Sequence, residues 1–354
     1  MKHAFRRLGP AGIAALALAV PATSSAAVRV VNVGPPPSTK KLVQKLGAAG
    51  VAKYKPDVNA FFNQHTTIHV GDKVSFINNG FHTIDIPAKG GSDLPLILPS
   101  GGLVSGVNDA SGTPFWFDGR LPNLGFNPLL FKASGPKSYN GSQRIDSGLP
   151  LGPKIKPLVV SFTKAGTYRY FCDVHPGMIG YITVKPKTAK VPTAKQAAAA
   201  ALHQLTTDIK AAVKAAKTHV PANTVDLGQS APGGVELYSM FPATLTVNAG
   251  TVVTFQMSQH TEEVHTATFG PQSELKTLSV GPAVPPQAAF PSDPGQLVEN
   301  PTVHGDGFAN TGFLDRDAST KTIPAAGKVL FNTPGTYQFV CLIHPFMHGT
   351  IVVK

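Results

Sequence analysis

The sequence predicts an all-β protein made of two tandem domains of one kind, joined by a helical linker. Three observations predict it. Short β-type runs with alternating apolar residues fill residues 57–186 and 225–354, and blocks of the first stretch recur in the second in constant register. Between them lies an alanine-rich stretch opened by a helix-start signature. At 354 residues the chain is long enough for two domains with full cores.

Residues 1–27 read as a secretory signal peptide. Lys2, Arg6 and Arg7 form a positive start, residues 11–20 are apolar, and Ser25-Ala26-Ala27 offers small residues for cleavage. The apolar run is too short to span a bilayer, and no other stretch comes close. The mature chain is therefore expected to be exported, to the periplasm, cell envelope or exterior, with no transmembrane segment. Residues 28–56 read as an N-terminal extension, first extended and proline-rich, then a short, weakly amphipathic helix around Leu42, Val43 and Leu46.

In the first domain, 57–186, the runs 66–70 and 73–77 flank Gly71-Asp72 and alternate as half-buried strands do. Asn78-Asn79-Gly80 is a turn signal that leads to His82. Further on, the runs 158–162, 164–172 and 180–184 read as strand, strand, loop and strand. In the second domain, 225–354, Gly71, Val74 and Phe76 recur as Gly250, Val253 and Phe255. Gly166-Thr167-Tyr168, Gly180 and Val184 recur as Gly335-Thr336-Tyr337, Gly349 and Val353. The step differs between the two blocks, which places insertions of unequal length in mid-domain. Those middles, 87–157 and 270–324, are long and rich in Gly, Pro, Ser and Asn, with scattered aromatics. The linker, 187–224, carries a capping box at Thr193-Ala194-Lys195-Gln196 and a stripe of Leu202, Leu205, Ile209 and Val213, along which the helix is expected to dock on one or both domains.

The chemistry-bearing residues sit in the repeat. Cys172-Asp173-Val174-His175-Pro176-Gly177-Met178 and Cys341-Leu342-Ile343-His344-Pro345-Phe346-Met347 share the spacing C-x-x-H-x-x-M. His82 lies upstream of the first and His265 upstream of the second. Thiolate and thioether are soft donors and imidazole suits copper, so two sets of His₂Cys with an axial Met predict two copper ions per chain. One set is His82, Cys172, His175 and Met178; the other is His265, Cys341, His344 and Met347. The chain has only two cysteines, both in these loops, so a structural disulfide is not expected. The net charge of +12 is spread rather than gathered into an aromatic-studded stripe. That argues against nucleic acid and for acidic redox partner proteins.

The two C-x-x-H-P-x-M loops, each preceded by a G-T-Y strand, resemble those of the cupredoxins, the family of plastocyanin, pseudoazurin and amicyanin. The resemblance spans most of both halves. It implies a Greek-key β-sandwich for each copy, with type 1 (blue) copper held rigidly for electron transfer. It also implies an apolar docking patch at Pro176, Pro345 and Phe346 beside exposed ligand histidines, and donors to the cysteine sulfur, for which Asn79 and Glu262 are candidates. The alternatives are a two-domain copper oxidoreductase of nitrite-reductase or multicopper-oxidase type, and a copper storage or delivery protein. Against the enzyme, Phe171 and Val340 stand directly before the cysteines where those families carry His, and Pro87 stands where a second-copper His is expected. Its support is the set of histidines without a role: His65, His69, His260, His304 and His348.

Overall fold

The computed structural model describes residues 26–37, 50–99, 124–152, 154–270, 275, 289–290, 296–297, 309–312, 314–316 and 324–354. Residues 1–25 of the predicted signal peptide, the predicted helix around Leu42 to Leu46, and His304 lie outside them. Among the described residues the chain is all-β apart from one long helix and short 3-10 turns, and its main sheets pair into two sandwiches.

In the first sandwich one sheet runs Phe61–Phe62, Val28–Val33, Lys73–Asn78, Leu158–Phe162, Ser138–Tyr139. The facing sheet runs Ile145–Asp146, Asp85–Ile86, Gly166–Phe171, Ile179–Lys185, His65–His69. Alternation decides which side chains go inward: Val74 and Phe76 from one sheet meet Ile68, Tyr170 and Ile182 from the other in a common core. The second sandwich repeats this. Its first sheet runs Pro56–Val58, Val235–Phe241, Thr224–Ala231, Thr251–Met257, Ala326–Phe331, Gln296–Leu297. Its second runs Thr244–Val247, His348–Val353, Gly335–Val340, Thr268–Phe269, Ala309–Asn310. Val253, Phe255, Tyr337, Phe339 and Ile351 share its core.

The recurring Gly180 and Gly349 have a packing reason. Each pairs across the ladder with an aromatic residue, Tyr170 and Phe339. A Cβ would lie 2.1 Å from the Tyr170 ring at Gly180 and 2.2 Å from the Phe339 ring at Gly349. The missing side chain lets the aromatic ring lie across the strand that leaves the ligand loop.

The segment the sequence sets apart as an extension is built into both sandwiches. Val28–Val33 pairs in parallel with Lys73–Asn78, as Thr224–Ala231 pairs with Thr251–Met257, so both copies begin with an equivalent strand. Pro56–Val58 then crosses over and pairs antiparallel with Val235–Phe241 of the second sandwich. The long mid-domain segments also meet: Ile97–Pro99, Leu124–Phe126 and Ala289–Phe290 form a three-stranded sheet drawn from both copies.

The helix spans Ala194–Ala215 and starts with the predicted capping box. Thr193 Oγ1 accepts from Gln196 N at 3.2 Å, and Gln196 Oε1 accepts from Thr193 N at 2.9 Å. Its buried face is Leu205, Ile209, Ala212 and Ala215, while Leu202 is 53% exposed and Val213 only half-buried, so the docking stripe is turned from the predicted one. The small alanines let the helix approach Val235 and Leu237 of one copy and Phe62 and Val58 from the preceding segment. Burying Leu205 and Ile209 is worth roughly 1.5–3 kcal/mol each. Gln204 fixes the other side, donating to Phe61 O at 3.1 Å and accepting from Gln64 N at 3.2 Å. Among the described residues no helix is long and apolar enough to cross a membrane.

Candidate metal centres

His82 follows the Lys73–Asn78 strand through a turn held by Asn78, whose side chain accepts from Gly80 N at 3.2 Å and donates to His82 O at 2.6 Å. Gly34 and Gly80 lie so close to the imidazole that a Cβ on either would come within 2.8 Å of His82 Nε2. The ring is thereby packed with Nδ1 pointing inward. Cys172 ends the Gly166–Phe171 strand, and the loop after it closes on itself: Cys172 N donates to Met178 O at 3.1 Å, and Met178 N to His175 O at 3.0 Å. The second copy closes in the same way, Cys341 N to Met347 O at 3.1 Å and Met347 N to His344 O at 2.8 Å.

These loops bring the three nitrogen and sulfur donors of each predicted set together. His82 Nδ1 and His175 Nδ1 are 2.9 Å apart, and Cys172 Sγ is 3.3 Å from His175 Nδ1 and 3.9 Å from His82 Nδ1. In the second set His265 Nδ1 and His344 Nδ1 are 3.0 Å apart, with Cys341 Sγ at 3.6 and 3.9 Å. Met178 and Met347 are buried at the loop ends. Two imidazoles meeting a thiol through the same ring nitrogen form a pocket with little but metal-ligating atoms at its centre, and this donor chemistry fits copper. Burial, then the neighbouring His175, lowers the pKa of His82; burial, then His344, pushes His265 down to about 3. Both imidazoles are thus neutral and able to ligate. Burial raises the Cys341 thiol.

The donors to sulfur are not Asn79 and Glu262. Asn79 donates to Asn32 Oδ1 and Gly34 O, and the Glu262 amide donates to Glu236. The residue after each upstream histidine does the work instead, because the backbone there runs beside the ligand loop. Thr83 N and Thr266 N each donate to their cysteine sulfur at 3.4 Å. Their hydroxyls accept from the amide after the cysteine, Asp173 N at 2.7 Å and Leu342 N at 3.0 Å. The signal was present in the sequence as a repeated His-Thr pair. Thr83→Val or Thr266→Val keeps the shape and strands one buried amide; we expect a roughly 10–100-fold weaker copper affinity at the altered set alone, read by chelator competition.

The two centres differ in their surroundings. Where the second has buried Leu342, the first has Asp173, one of a buried trio with Asp85 and Asp146 beside Arg144. Burial, then Asp173, pushes Asp85 up to about 8, and burial raises Asp146 to about 7.

A residue that sequence reasoning passed over lies between the centres. Glu263 is 3% exposed. Its Oε1 is 3.1 Å from His175 Nε2 and its Oε2 is 3.5 Å from His344 Nε2. Asn59 Nδ2 at 2.7 Å and the Tyr238 hydroxyl also donate to Oε1. Burial alone would raise the carboxyl, but the charge and hydrogen bond of His175, with the fields of His344 and His265, hold it far below the usual range. His175 is correspondingly raised well above an ordinary histidine: burial works against its charge, and Glu263 and Cys172 overcome that. His344 stays low, because burial dominates and the single charge settles on the closer His175.

The loop histidine of the first centre is therefore not at an open docking patch, while His344 is half-buried. His175 is 5% exposed and faces the other copy; Pro345 and Phe346 remain exposed, with Lys55 Nζ 4.4 Å above the Phe346 ring. A cavity of about 520 Å³ opens beside Glu263, walled by Phe81, Leu149, Leu151, Tyr238, Ile343 and Phe346. The described histidines without a predicted role sit elsewhere. His65 stacks on Tyr181 at 4.8 Å, His69 Nε2 is 2.8 Å from Ala189 O, the His260 amide donates to Ser230, and His348 opens the last strand.

No protein-family model and no curated protein matches the chain. Among solved structures it is similar to a reduced Cu(I) form of an amicyanin mutant, with 20% identity over 40% of this chain and 89% of that one and a TM-score of 0.23. It is similar to amicyanin from Paracoccus versutus, with 21% identity over 40% and 88% and a TM-score of 0.21. It is likewise similar to a mutant plastocyanin of fern, with 23% identity over 37% and 99% and a TM-score of 0.21.

Proposed function

We propose that the chain is an exported, two-domain protein of cupredoxin type that carries single electrons on two copper ions, one per sandwich. His82, Cys172, His175 and Met178 hold the first; His265, Cys341, His344 and Met347 hold the second. The observation that carries this reading is the duplicated convergence of two imidazole Nδ1 atoms on one thiol, each thiol capped by a threonine amide. Bound copper supplies a one-electron couple, Cu(I)/Cu(II). The protein supplies a ligand frame anchored to strand ends and a closed loop, which leaves little to rearrange when the charge changes. The amide donors lean toward the sulfur and stabilise its negative charge. A carrier suits the loops better than a catalyst, since Phe171 and Val340 rather than histidines precede the cysteines. The basic surface, +12 over the chain, favours acidic partner proteins as donor and acceptor.

Copper counting tests the reading. We expect two coppers per wild-type chain and one in each of Cys172→Ser and Cys341→Ser, with each variant keeping about half of the intense thiolate-to-copper absorption. Weak binding without that absorption would transfer the chain to storage or delivery.

A further inference from the structure

In each centre the imidazole from the ligand loop turns Nδ1 toward the thiol and the other imidazole, so a neutral ring that held a metal through Nδ1 would carry its proton on Nε2. His175 and His344 both turn that Nε2 toward Glu263, one to each carboxylate oxygen, at 3.1 and 3.5 Å. The upstream imidazole of the first centre has no such outlet: His82 Nε2 is buried without a partner among the described residues. The loops are seated on this contact. A Cβ at Gly177 would lie 3.2 Å from Glu262 Cγ, so the first ligand loop rests on the chain just before Glu263. Asn59, on the segment that crosses from the first copy into the second, and Tyr238 pin Oε1 in place. Tyr238 also lies 5.0 Å from the His344 ring. The outward edges of the two centres thus meet one carboxylate instead of facing solvent.

We infer that Glu263 is an electron bridge between the two centres, so that one chain works as an internally coupled pair rather than as two separate carriers. The inference rests on the copper-carrier reading above. In each passage one centre is oxidised by one electron and the other is reduced by one; no covalent bond in the bridge breaks, and both Nε2 protons stay on their rings. The close approach of His175 Nε2 to Oε1, the longer one of His344 Nε2 to Oε2, and the extra donors on Oε1 give a continuous path, His175 to Glu263 to His344. Asn59 and Tyr238 are positioning residues for it.

The test uses the full copper-loaded chain with Met178→Leu, which changes one axial donor and separates the two centres in potential and absorption. After a sub-stoichiometric pulse of a one-electron reductant, redistribution of bleaching between the two bands is followed. We expect a rate independent of protein concentration, slowed at least about tenfold when Glu263→Leu is added. Glu263→Gln, which keeps the volume and offers His344 an amide N–H instead of an acceptor, is expected to slow it in the same direction. As a readout apart from electron flow, the Cu(I) protein should show two slowly exchanging histidine Nε2 proton resonances, lost in Glu263→Leu. A rate proportional to protein concentration, or an unslowed rate in a Glu263 variant that retains both bands, overturns the bridge. Absence of thiolate-copper bands in the parent overturns the carrier reading instead, so the two failures are distinguishable.

Discussion

Glu263→Ala is expected to cost the metal-free protein about 3–5 kcal/mol in urea unfolding at neutral pH, the range for removing one partner of a buried ion pair. The substitution leaves four donors without their acceptor: Asn59 Nδ2 and His175 Nε2, both buried, and the half-buried Tyr238 hydroxyl and His344 Nε2. The pH dependence follows from the two shifts. The Glu263 pKa is depressed, so its contribution is present above its unfolded value of about 4.5 and is lost only as pH falls through the much lower folded value. The His175 pKa is raised, so its contribution is complete below about 6.5 and is lost as pH rises through the folded value. The difference between wild type and variant should therefore be largest from pH 4.5 to 6.5 and shrink on the alkaline side. A gap below about 1 kcal/mol would mean that the carboxylate is only a surface-like contact.

Copper binding should depend on pH more steeply at the first centre than at the second. Ligands must be deprotonated to bind, and both centres shed a thiol proton. The first must also displace the Nδ1 proton of a His175 imidazolium that the Glu263 charge stabilises, whereas His265 and His344 are already neutral. Below the raised His175 value this adds about a tenfold loss of affinity per pH unit. Chelator-competition titrations of Cys341→Ser, which retains the first centre, and Cys172→Ser, which retains the second, should diverge as pH falls from about 8 to about 6. Parallel pH profiles would contradict the His175–Glu263 pairing.

The two His-Cys-His clusters were legible because C-x-x-H is local, and its duplication removed the chance of coincidence. The strand runs near Val74 and Phe76 and the capping box at Thr193 were legible for the same reason: period and cap are short-range signals. Val28–Val33 was not, since VRVVNV beside a proline-rich stretch has little in common with its structural counterpart TVDLGQSA, and a parallel pairing leaves no turn to read. The crossing of Pro56–Val58 into the other sandwich and the role of Glu263 are decided by contacts between residues far apart in the chain. Glu263 stands two residues before His265 and means nothing until His175 arrives from the other copy. Thr83 and Thr266 are legible in their shared place after the upstream histidine.

X-ray absorption at the copper edge of the fully loaded wild-type chain tests the central claim most directly. Two coppers per chain, each with one sulfur and two imidazole nitrogens in its inner shell, is the predicted result. An inner shell of nitrogen and oxygen alone, or sulfur at only half of the copper, would contradict it.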